Sequence, residues 1–149
     1  MDNKFDKDIL FKEIDLIQSC ITRMANNSFL VKGWLIAILV FAFGFLKEEI
    51  TFLFGMALII SIIGLWVLDS HYLYLEREYR WKYDWVIENR IKGNDEYLFN
   101  LNPGLKEMRN SSNKNVTDFN GMFKTMFSWS VIYYLVSILL IVITIYIHV

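Results

Sequence analysis

The chain is nearly without proline: Pro103 stands alone among 149 residues. Long helices on either side of it therefore meet no ring that would break them. Cysteine is as scarce, with Cys20 alone, which excludes an intrachain disulfide and a thiolate metal site. Its default reading is a small buried apolar residue. Charge of one sign is lacking too: 15 basic against 16 acidic side chains leave bulk charge naming no partner. No glycine-rich phosphate loop, nucleophile elbow or metal-spaced His/Cys cluster is present. The reading is of a protein that is not an enzyme, with no cofactor and no metal. The opening MDNKFDKD mixes acids with lysines and has no apolar stretch behind a basic region, so no cleavable signal peptide is expected there.

What is abundant is apolar. The hydrophobic share is 55%, above the roughly 45–50% usual for globular domains. It is concentrated in Val31–Leu46 (with Lys32 near its mouth), Ile50–Leu68 and Thr125–Ile147. Each run approaches the length that a helix rising ~1.5 Å per residue needs to cross ~30 Å of hydrocarbon. The predicted fold class is an all-α membrane protein with three transmembrane helices. It divides into an amphipathic helix at 1–28, a transmembrane hairpin at 29–69, a cytoplasmic helix and Asn-rich loop at 70–124, and a third span at 125–149. Basic residues gather before the first run and between the second and third, which places both regions in the cytoplasm and the C-terminus outside. His71 and His148 then lie at opposite faces of the membrane.

Few residues join the first two runs, so they must pair as antiparallel neighbours, and residues at one level have position numbers of nearly constant sum. That register sets Gly33 opposite Gly64 and Ala37 opposite Ser61, with Ala57 on the same face, as close helix packing in lipid favours. It sets Lys32 beside Asp69, a structural pair at the inner membrane edge, with Arg23 near Glu76 and Asn27 near Tyr72 further in. No breaker interrupts Leu65 to Arg90, and Gly93-Asn94 is the first stop, so the second span should continue as one long helix. Leu10, Ile14, Ile17, Ile21 and Met24 form a seam for packing on that extension or on copies of the chain. Asparagines punctuate 93–120, where Tyr97, Leu98, Phe99 and Leu101 form a patch expected to dock on the long helix and Asn110–Val116 a mobile loop.

Two constellations invite function. Between Tyr72 and Trp85, aromatics interleave with Arg77, Arg80 and Lys82. Together with Arg23, Tyr79 and Trp81, these make a candidate ligand-binding set, since rings stack on bases while cations take phosphates. An interfacial belt on anionic lipid, or packing against the first helix, would use the same residues. In the third run Ser130, Ser137 and Thr144 recur every seven residues, with Tyr133 beside them. Such a stripe can line a pore shared between subunits of a homo-oligomer, or bond across helices or to its own backbone.

The stretch Ile17-Gln-Ser-Cys-Ile-Thr-Arg-Met-Ala-Asn-Asn-Ser-Phe-Leu-Val-Lys-Gly-Trp34 resembles the opening of a family of small bacterial three-span membrane proteins. So does Trp66-Val-Leu-Asp-Ser-His-Tyr-Leu-Tyr-Leu-Glu-Arg-Glu-Tyr-Arg-Trp-Lys-Tyr-Asp84, and Phe127-Ser-Trp-Ser with Tyr133-Tyr-Leu fits the start of that family's last span. One branch resembles the membrane effector of Hailong-type anti-phage defence. The resemblance implies an inner-membrane ion channel gated by a single-stranded oligodeoxynucleotide that a nucleotidyltransferase makes. This chain departs from the pattern at Leu75, where the family has glutamine, and at Lys82, where leucine is frequent. A non-conducting anchor that recruits a partner through the long helix, or a holin-like lytic protein, are the competing readings.

Overall fold

The computed structural model describes residues 3–45, 52–105, 108, 118–129 and 131–148. With no proline before position 103, two helices run unbroken. α1 spans Asn3–Phe45 and α2 spans Phe52–Ile91, 43 and 40 residues, each about 60 Å or more by helix rise. Two shorter helices follow, α3 at Asp118–Met126 and α4 at Val131–His148. The described residues are helix and turn, with no strand. Two helices, Lys7–Gly44 and Phe52–Ile91, are long and apolar enough to cross a membrane, while the apolar stretch Ile132–Tyr146 is shorter.

α1 and α2 form an antiparallel hairpin. The seam of α1 descends through Glu13, Ile17, Cys20, Met24, Ser28, Val31, Leu35 and Ala42, all buried and spaced mostly by three or four. α2 answers with Gly55, Leu58, Ile62, Asp69, Lys82 and Val86. At one end Ile17 and Ile21 pack on Val86 with Tyr79, Tyr83 and Leu101 around them. At the other, Leu35 and Ala42 meet Leu58 and Ile62, joined there by Tyr134 and Ile141 of α4. α2 stops where the sequence says it should. Gly93 takes φ +75, its N–H donates to Arg90 O, and the N–H of Asn94 donates to Asn89 O, both at 3.0 Å. These are the two closing bonds of a Schellman cap, whose left-handed residue is best made by glycine.

α1 passes through positions 28 and 29 without interruption. Two expectations need correction. The small residues do not make the hairpin interface: Gly33, Ala37, Ala57, Ser61 and Gly64 are all exposed, and a side chain built at Gly33 or Gly64 would touch nothing within 4 Å. A constant sum fixes the level of a residue, not its side of the helix. Gly33 lies two residues from Leu35, about 200° around the axis at 100° per residue, which turns it to the outer side. Finally, the apolar run from Thr125 is not one helix. α3 ends at Met126, where Trp66 Nε1 donates to the Met126 carbonyl at 3.1 Å. Turn bonds from Ser128 N to Thr125 O (3.1 Å) and from Ile132 N to Trp129 O (3.4 Å) follow before α4 takes over.

Candidate functional site

Buried charge is costly unless paired, so the places where this chain buries it mark what it has built. There are two. The first lies at the mouth of the apolar run. Asp69 is 1% exposed on its side chain, and its Oδ1 accepts from Lys32 Nζ at 2.7 Å and from Ser28 Oγ at 2.5 Å. Lys32 also donates to Ser28 Oγ at 2.7 Å, closing a triangle across the hairpin. On the far side of Asp69 stands Tyr134, wholly buried. Its hydroxyl interacts with Asp69, yet neither Tyr134 Oη nor Asp69 Oδ2 has a hydrogen-bond partner. Trp66 stacks on the Tyr134 ring (6.3 Å between centroids, 18° between planes) and meets Phe127 edge-on. The Lys32–Asp69 proximity follows from the sequence register. Ser28 was legible there too, one helical turn before Lys32 on the same face.

The second lies at the polar end. Glu13, fully buried, receives Arg90 through both carboxylate oxygens, Nε to Oε2 at 2.9 Å and Nη2 to Oε1 at 3.0 Å. This fork-on-fork pairing is the strongest geometry an ion pair takes. The N–H of Phe99 donates to the same Oε1 at 3.0 Å, Arg90 Nη1 donates to the carbonyls of Asn94 and Glu96, and Lys82 Nζ donates to Asn102 O at 2.8 Å. Three charged side chains thus hold the main chain of 94–102 against the hairpin. Tyr97 and Phe99 adopt φ of 60° and 56° there, a left-handed conformation costly for aromatic residues and tolerated where the surroundings fix it. Desolvation, reinforced by Arg90 and opposed by Glu13, lowers Lys82 from 10.5 to about 8. The apolar patch docks as expected through Tyr97, 6.4 Å from Trp85, and through Leu101, while Leu98 and Phe99 stay exposed. Asn110–Val116 lies outside the described residues.

The structure separates the candidate ligand residues. Arg23, Cys20 and Tyr79 come together: Arg23 Nη2 lies 3.8 Å from Cys20 Sγ. Burial, helped by Cys20, pushes the Tyr79 hydroxyl above its usual value, against the pull of Arg23. Arg80 is exposed and holds Glu76 Oε1 through Nη2 and Nε at 2.7 and 2.9 Å, so Glu76 pairs within its own helix. Arg77 donates to Thr125 Oγ1 at 3.2 Å, tying α2 to α3. Trp81 is half-buried and Lys82 is turned inward. Of the hydroxyl stripe, Ser130 lies outside the described residues, Ser137 is buried and donates to Tyr133 O at 2.6 Å, and Thr144 donates to Leu140 O at 2.9 Å. The Tyr133 side chain is exposed.

Sequence reasoning missed Glu13, Arg90 and Tyr134 as partners. Glu13 carried a signal, being a charged residue in step with Ile17, Cys20 and Met24 on the buried face. Compared with models of protein families, with curated proteins and with solved structures, the chain matches none.

Proposed function

We propose that this protein is a three-span membrane effector whose polar half receives an anionic signal and whose apolar half responds, within a homo-oligomer, by conducting ions. α4 serves as the third span, the N-terminus lies in the cytoplasm and the C-terminus outside. The observation that carries the reading is mechanical. Each long helix is one piece from the polar junction to the apolar mouth, and both junctions clasp it to its partner by buried charge. A displacement at one end must reach the other.

The lipid setting is supported by exposure: only 22% of the apolar window of either long helix is buried, where a core helix of a water-soluble domain would be mostly buried. Trp34, Phe127, Trp129 and Tyr133 are exposed near the level of the Lys32–Asp69 pair, as an interfacial aromatic belt would be. Assembly is supported by the outward-facing small residues. Gly33 and Ala37 on α1 stand level with Gly64 and Ser61 on α2 but face away from the hairpin, where a neighbouring copy's backbone can approach. The sequence resemblance supports a signal made of short single-stranded DNA and a role in anti-phage defence.

The reading is tested by ion flux through liposomes carrying the purified protein, with and without short single-stranded DNA of different bases. Flux that responds to one of them is the expected result; no flux under any condition overturns it. That second outcome would favour a non-conducting anchor for a cytoplasmic partner. The hydroxyls of Ser137 and Thr144 favour the anchor as well, since both are engaged with their own helix.

A further inference from the structure

We propose that the hairpin face turned away from α4 binds one anionic phospholipid at the membrane edge marked by Lys32 and Asp69, with Arg23 as the cation for its phosphate. A cleft of about 140 Å³ opens there between the long helices, lined by Asn27, Leu30, Val31 and Trp34 of α1 and by Leu68 and Tyr72 of α2. Trp66 stacks on Tyr134 of α4, and Leu68, two residues on, is turned about 200° around the axis to the other side. The lining changes with depth. Leu30, Val31 and Leu68 stand level with the Lys32–Asp69 pair, at the mouth of the apolar runs. By helix rise Tyr72 lies about 4 Å and Asn27 about 7 Å to the polar side of that pair, within the roughly 5–7 Å that a headgroup layer occupies. Apolar side chains face the hydrocarbon and a phenol and an amide face the headgroups, which is the order of a phospholipid.

The polar groups of this face are donors without an acceptor. Among the described residues the Asn27 amide, the Trp34 indole N–H and the Tyr72 hydroxyl have no hydrogen-bond partner, and no carboxylate lines the cleft. Arg23 stands one turn before Asn27 on the same side of α1. Of the four described arginines it alone donates to no oxygen. Arg77 holds Thr125, Arg80 holds Glu76 and Arg90 holds Glu13, whereas Arg23 rests 3.8 Å from the Cys20 sulfur. The carboxylate on its level, Glu76, is already taken by Arg80. A guanidinium held only by a thiol is free to turn toward the cleft, and an anionic phosphodiester is the partner its donors fit. Pockets that enclose a whole small ligand run to roughly 300–1,000 Å³. This cleft is smaller, so it takes a phosphate with its glycerol while the rest of the molecule lies outside. A lipid, whose chains continue along Leu30 and Leu68 into hydrocarbon, is held in that way. A nucleotide would leave its base and sugar unplaced.

The site rests on the membrane setting of the proposed function and not on conduction. Its test is native mass spectrometry of the delipidated full chain in detergent, titrated with phosphatidylglycerol and with phosphatidylcholine. One phosphatidylglycerol per chain should bind about tenfold more tightly than phosphatidylcholine, whose own cation neutralises the phosphate; that is the factor one charge-assisted hydrogen bond carries. Arg23→Ala, at an exposed position, should erase the preference and Arg23→Lys should keep most of it. Asn27→Leu is an independent variant that should weaken phosphatidylglycerol several-fold. Lys92→Ala, an equal loss of charge on the exposed surface, should change nothing. Free glycerol phosphate in excess should not displace the lipid. Equal binding of the two lipids, or a preference that survives both Arg23→Ala and Asn27→Leu, overturns the site. Displacement by glycerol phosphate overturns it too, since the site is then one for a soluble phosphate. So does an Arg23→Ala chain that loses short single-stranded DNA and keeps its lipid preference, because Arg23 then belongs to the signal. Lipid preference with no ion flux sinks the channel reading and leaves the site standing. Flux with no lipid preference sinks the site alone. A chain that stays in solution when detergent is removed sinks the membrane setting and the site with it.

Discussion

The two halves of the hairpin are built from the same two helices and held by opposite means. In the polar half, Ile17, Ile21 and Val86 leave water on packing, and each such side chain contributes about 1.5–3 kcal/mol. Charge is then set inside that core, with Glu13 and Arg90 paired and Lys82 spent on a loop carbonyl. In the apolar half, Leu35, Ala42, Leu58 and Ile62 form a second buried cluster. Under the membrane reading, though, they gain no hydrophobic energy, because lipid is as apolar as the neighbouring helix. What remains there is shape and the Lys32–Asp69 clasp. Under that reading the comparison makes the polar half the fixed end and the apolar half the adjustable one. A cooperative core seals the first, and a few polar contacts decide the second.

The sharpest way to break that contrast is at Glu13. Glu13→Ala leaves Arg90 buried without its carboxylate and Phe99 N–H without an acceptor. Denaturant unfolding in detergent should show the polar half losing about 3–5 kcal/mol, with residues 94–102 exchanging their amide hydrogens freely. Glu13→Leu with Arg90→Met should recover most of it.

Lys82 sharpens the same contrast through pH. Its folded value is about 8 against 10.5 unfolded. Below pH 8 both states hold the proton, so the cost of burying the ammonium is fully present and does not vary. Between pH 8 and 10.5 the unfolded chain binds a proton that the folded chain does not, so stability rises with pH. Unfolding measured across that window should show the rise, and Lys82→Met should flatten it. A decline with pH in the same window would contradict the burial.

A smaller effect separates buried from exposed small residues. Under the proposed assembly, Gly33→Leu and Gly64→Leu should leave the hairpin folded and lower the mass of the particle, read by light scattering in detergent. Gly55→Leu, at a buried position, should instead disturb the hairpin itself. The smallest effect belongs to α4. Ser137→Ala and Thr144→Val should change liposome flux by less than about twofold, because each hydroxyl is bonded to its own helix. A larger change would return these residues to a conducting path.

Much of the fold was legible in the sequence. The unbroken stretch from Leu65 to Arg90 gave the long second helix, Gly93-Asn94 gave its stop, and the level of Asp69 gave its pairing with Lys32, while the continuity of α1 through Asn3–Phe45 was not read. What the level could not supply was azimuth. Gly33 and Gly64 were placed at the right height on the wrong side, and the seam is set by the whole stripe from Glu13 to Ala42. The break after Met126 was hidden because no local residue demands it. The carbonyl it frees is capped by Trp66, some sixty positions away. Arg90 was hidden for the same reason: it reads as an ordinary surface charge until the hairpin brings it to Glu13 across 77 positions. The candidate ligand set was read from one helix as a strip, and a strip has several sides. Lys82 turns inward while Arg80 turns out.

The central claim is that α2 is one rigid helix, with Phe52–Leu68 in lipid and the stretch beyond Asp69 in water. Spin labels placed singly from Phe52 to Ile91 in nanodiscs test it most directly. Oxygen accessibility should dominate up to Leu68 and that of a water-soluble relaxant from Tyr72 onward, with one 3.6-residue periodicity keeping its phase through Asp69. Relaxant access throughout, or a phase break at Asp69, would contradict the account.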